Sequence, residues 1–99
     1  MSRPDPRHDA IRDEIMAEVR VLEAEGKSVR AVVLRPHGWK VEMLDGTRAG
    51  DTVPHMTRDE AERIRDLLAA DLPELEVPAH EGEGASEDGW HVSLRRAAE

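Results

Sequence analysis

The chain has 99 residues, 38% apolar and 36% charged, with 22 acids against 14 bases and a formal net charge of −8. That length is one domain spanning 1–99, and the absence of cysteine excludes disulfides, thiol nucleophiles and thiolate metal sites together. No apolar run approaches the roughly 20 residues of a membrane span, and Met1-Ser2-Arg3-Pro4-Asp5-Pro6 lacks a signal peptide's apolar stretch, so a soluble, cytoplasmic protein of bacterial or phage type is expected.

Residues 1–5 read as a flexible start. Asp5-Pro6 then offers an N-cap with proline at the first helical position. Ile11, Ile15, Val19 and Leu22 recur at four, four and three residues, one stripe of a helix over 6–25. Met16 and Ala17 would widen that stripe, and Gly26 is its natural stop. Val29 to Arg35 is β-branched and holds the run Ala31-Val32-Val33-Leu34, a central strand with both faces partly covered. After the turn residues Pro36-His37-Gly38, Trp39, Val41 and Met43 alternate with Lys40 and Glu42, a second strand. Asp45-Gly46 can reverse the chain into a third strand at 47–53, which Gly50 and Pro54 weaken.

Thr57-Arg58-Asp59-Glu60 reads as a capping box, with Met56 stapled against Ala61. Ile64, Leu67 and Leu68 form the buried stripe of that second helix, and Pro73 ends it near Asp71 or Leu72. A short Leu75-Glu76-Val77 follows. Residues 79–89 hold Gly82 and Gly84 among four acids and no base, an acidic mobile loop. Trp90 to Arg95 alternates again as a final strand.

The predicted fold class is α+β, in αββαββ order. It is a two-layer sandwich: an antiparallel sheet of four to five short strands with two helices on one face. Gly38-Trp39-Lys40-Val41 and Gly89-Trp90-His91-Val92 open corresponding strands alike, which offers a duplicated unit with pseudo-two-fold symmetry. With no Phe or Tyr, the core falls to Val, Leu, Ile, Met and Ala, plus Trp39 and Trp90 if they point inward.

The five histidines show no metal-ligand spacing, and no serine sits in a nucleophile elbow. No metal, no cofactor and no enzymatic activity are therefore expected. An enzyme would need a pocket gathering His55 or His91 with a carboxylate. Charge is more informative. Residues 9–25 carry −4, residues 26–50 carry +3, and residues 73–88 carry −6. The acid excess disfavours nucleic acid and anionic membranes as partners.

Residues 29 to 70, through Gly38-Trp39-x-Val41, a turn and Thr57-x-x-Glu60-Ala61, resemble the amino-terminal arm-binding domains of phage-type tyrosine integrases. The chain departs from them in being acidic and in lacking their catalytic domain. Its element order with an acidic surface is also similar to that of secretion-type chaperones, which dimerise and bind other proteins. No functional residue is carried over from either.

The expected function is that of a small acidic, non-enzymatic protein-binding module. One subclass is an inhibitor or antitoxin-like protein whose carboxylates imitate nucleic-acid phosphates and occupy a basic nucleic-acid-binding partner. The candidate protein-binding residues are Asp9, Asp13, Glu14 and Glu18 on the first helix, with Glu81, Glu83, Glu87 and Asp88 in the loop. The alternative is a sheet face where Trp39 and Trp90 stack on single-stranded bases beside Arg35, Lys40 and Arg95. A homodimer through an open sheet face or edge is compatible with either.

Overall fold

The computed structural model describes residues 6–77 and 90–96. The expected flexible start at 1–5 and the acidic loop at 79–89 lie outside the described residues. Helix α1 runs Pro6–Ala24, and Ile11, Ile15, Met16, Val19 and Leu22 are buried along it while Ala17 is exposed. The Gly26 N–H donates to the Glu23 carbonyl at 2.9 Å, and the Lys27 N–H donates to the Leu22 carbonyl at 3.2 Å. This is a Schellman closure, and Gly26 takes the φ of +87° that it demands.

Strands β1 (Val29–Arg35), β2 (Gly38–Met43) and β3 (Arg48–Thr52) form an antiparallel meander. Gly46, at φ +93°, makes the turn between the last two. The third strand therefore forms despite Gly50. Helix α2 (Arg58–Asp71) starts at the expected capping box, with the Thr57 hydroxyl accepting the Glu60 N–H and the Glu60 carboxylate accepting the Thr57 N–H. Ala61, Ile64 and Leu68 are its buried stripe, with Leu67 only half-buried. Strand β4 is the short Leu75–Glu76, and β5 is Val92–Arg96, two residues later than the alternation from Trp90 predicts.

The sheet has five strands, all paired antiparallel, in the order β3-β2-β1-β5-β4. The β-branched strand β1 is central, as its apolar run requires. The order lacks the two-fold that the Gly-Trp echo offers: a duplicated unit would place equivalent strands together at the centre, whereas β1 pairs with β5. Gly89 itself is outside the described residues.

One face of the sheet packs under both helices. Val29, Val32, Leu34, Trp39, Val41, Met43, Val92 and Leu94 share a single core with the apolar stripes of α1 and α2 and with Met56. Val29 joins that face because the β1–β2 register slips between Val29 and Ala31, a one-residue bulge. The opposite face carries Lys40 and Glu42 beside Ala31, Val33, Ser93 and Arg95. The protein is thus an α+β two-layer sandwich. Among the described residues no helix is long and apolar enough to cross a membrane.

Candidate functional site

The acids of α1 divide into two groups. Arg12 donates from Nε to Asp13 Oδ1 at 2.8 Å and lies 3.8 Å from Asp9 and 3.4 Å from Asp71. Asp9 and Asp13 are thus partly neutralised by a cation on their own helix. Glu14 and Glu18 have no hydrogen-bond or ion-pair partner among the described residues. With the exposed Val21 they line a groove of about 310 Å³ between the flank of α1 and Asp51 of β3. The expected array of four helical carboxylates is in effect two. The pairing of Arg12 with Asp9, three residues before it, and with the adjacent Asp13 was open to sequence spacing; the third carboxylate beside Arg12, Asp71 of α2, was not.

The basic residues gather on the sheet face away from the helices, around its β2–β3 end; at the centre of that face Ala31, Val33 and Ser93 are buried. Arg35, Lys40 and Arg48 surround a shallow depression of about 560 Å³ beside Gly38 and Gly50. None of the three makes an ion pair among the described residues, although Glu42 stands across from Arg48 in the β2–β3 register. Arg95, opposite Ala31, belongs to the same face. Arg48 and the bare glycines are site features that the sequence reading missed.

The tryptophan platform does not form. Trp39 alternates with Lys40, so it points to the helices while Lys40 points away, and it is only 7% exposed. Trp90 is half-buried and packs against the core. Burying an indole removes apolar surface on a scale that one flanking cation cannot match. Trp39 also lines the groove beside α1, and its indole N–H has no acceptor among the described residues. With Trp90 changed to phenylalanine, the remaining Trp39 emission is expected to be blue-shifted and resistant to iodide. Strong quenching would place Trp39 in water and refute this packing.

The histidines separate as well. His8 is buried, with Nε2 at 3.2 Å from Glu60 Oε2, and is not a surface residue. The His37 and His55 rings lie 5.6 Å apart between centroids. Neither His55 nor His91 meets a carboxylate among the described residues, and no group of three metal-ligating side chains forms there. Glu81, Glu83, Glu87 and Asp88 lie outside the described residues. Compared with models of known protein families, with curated proteins and with solved structures, the chain matches none, so the resemblance to integrase arm-binding domains has no support there.

Proposed function

We propose that this is a non-enzymatic, cytoplasmic protein-binding module that engages a basic partner protein through the flank of α1 beside β3. One observation carries the reading: Glu14 and Glu18 stand without a counter-charge at a groove while Asp9 and Asp13 share Arg12. Carboxylates already paired on their own surface add little to recognition, whereas unpaired ones steer an oppositely charged partner and lose least on docking. The exposed Val21 at the same groove supplies an apolar contact.

The test uses a fluorescent lysine-rich peptide and anisotropy at low and moderate salt. Glu14→Lys with Glu18→Lys is expected to weaken binding at least about tenfold and to flatten its salt dependence. Asp9→Asn with Asp13→Asn should change it about twofold. Equal losses from both pairs, or none from either, would refute this site.

A further inference from the structure

Strand β3 ends the sheet, and its hydrogen bonds show which of its residues are open. The Val53 N–H donates to the His37 carbonyl at 3.0 Å, and the Thr47 carbonyl accepts from the Met43 N–H at 2.8 Å. Backbone groups alternate sides along a strand, so Ala49 and Asp51 turn theirs toward β2. Arg48, Gly50 and Thr52 turn theirs outward. The Thr52 N–H is already taken by Asp51 Oδ1 at 2.8 Å. The amides and carbonyls of Arg48 and Gly50 are left without a partner among the described residues.

Opposite charges flank this edge. On the side away from the helices lie Arg35, Lys40 and Arg48 around the bare Gly50, three bases against the single acid Glu42 opposite Arg48. On the helix side lie Glu14 and Glu18, with Asp51. Side chains of any strand laid along β3 must alternate between these two sides. We propose that the partner adds an extended segment to β3, sending basic side chains toward Glu14 and Glu18 and acidic ones toward Arg35, Lys40 and Arg48. This rests on the protein-binding reading above and specifies the partner's chemistry: an exposed strand of alternating charge, held by main-chain bonds and sorted by charge.

A second copy of the chain fits less well. Antiparallel pairing of β3 with itself keeps both α1 helices on one side of the extended sheet. Glu14 and Glu18 of each copy then flank the junction with like charge.

The experiment uses the full chain and two labelled peptides of equal composition. In one, lysine and glutamate alternate; in the other, they form two blocks. The alternating peptide is expected to bind at least tenfold tighter and to slow amide hydrogen exchange at Arg48 and Gly50 at least tenfold. The amides of Ala49 and Asp51 should hardly change, and N-methylation of alternate peptide residues should abolish binding. Two results would overturn strand addition while leaving the protein-binding reading intact: equal binding of both peptides that depends on Glu14 and Glu18, or binding without protection at Arg48 and Gly50. Failure of both peptides to bind overturns it too, while the lysine-rich peptide decides the broader reading separately. Protection at those amides that rises with protein concentration alone would make a second copy the occupant and reject the proposal.

Discussion

Replacing Glu60 by alanine is expected to lower the unfolding free energy at pH 7 by about 2 kcal/mol, and the melting temperature by about 10 °C. Glu60 is the knot between the two helices. Its Oε1 accepts the Thr57 N–H at 3.0 Å, closing the cap of α2, while Oε2 lies 3.2 Å from both Arg7 Nη1 and His8 Nε2 of α1. Arg7 reaches on to the Pro54 carbonyl at 3.1 Å and to that of His55, so the segment entering α2 is tied to the first turn of α1. The Thr57 amide, and after it His8 and Arg7, hold the Glu60 carboxyl below its ordinary 4.5, against an opposing effect of burial. The folded chain therefore binds this proton less readily than the unfolded chain does. The stabilisation is complete above about pH 4.5 and fades as pH falls through the lowered value. Asp45 adds a second step. Hydrogen bonds from the Thr47 side chain and backbone, then from Lys27, lower it from 3.8 to about 2. Urea unfolding followed by circular dichroism from pH 7 to pH 2 should show the gap between wild type and Glu60→Gln closing in acid. A gap constant across that range would mean that the Glu60 charge contributes nothing.

Gly38→Ala and Gly50→Ala are each expected to cost about 1–3 kcal/mol, the reverse of the usual gain when alanine replaces glycine in a strand. A Cβ on Gly38 would sit 2.5 Å from the Asp51 carbonyl oxygen, and one on Gly50 would sit 2.6 Å from that of Trp39. Both obstacles are backbone atoms of the paired strand and cannot rotate away, so β3 must draw back from β2. Once it has moved, the second methyl meets less resistance. The double variant should therefore lose less than the sum of the singles. Thermal melts of the three variants, with amide exchange at Ala49 and Asp51, measure this. Additive losses, or alanine variants as stable as wild type, would show that the strands do not approach so closely.

The same glycines explain what was and was not legible in the sequence. Local chemistry announced itself: Thr57 and Glu60 at capping distance, Gly26 after an apolar stripe, and Asp45-Gly46 at a reversal each appear in the fold for the reason their residue types imply. Strand β3 was harder to read because Gly50 disfavours a strand by propensity, yet here it is what the close approach of two backbones needs. Long-range pairing left no trace. Nothing in the first turn of α1 signals that His8 and Arg7 meet Glu60, more than 50 residues on. Asp9, Asp13, Glu14 and Glu18 share α1, and the neighbouring Arg12 accounts for the first two; that Arg12 also reaches Asp71 of α2 left no trace in the sequence. Strand alternation does separate Trp39 from Lys40. It does not say which of them faces the helices until those helices have a side.

The bulge in β1 is a phase slip in that alternation. Val29 and Ala31 pair with the neighbouring residues Met43 and Glu42, so one residue on β1 has no counterpart on β2. Exposed Arg30 occupies that surplus position. Its excision would bring Val29 directly before Ala31 and restore strict in-and-out order, with Val29, Val32 and Leu34 all still facing the helices. At this point the strand is one residue longer than its core requires, and the link from α1 could be shortened there without changing which side chains the core contains.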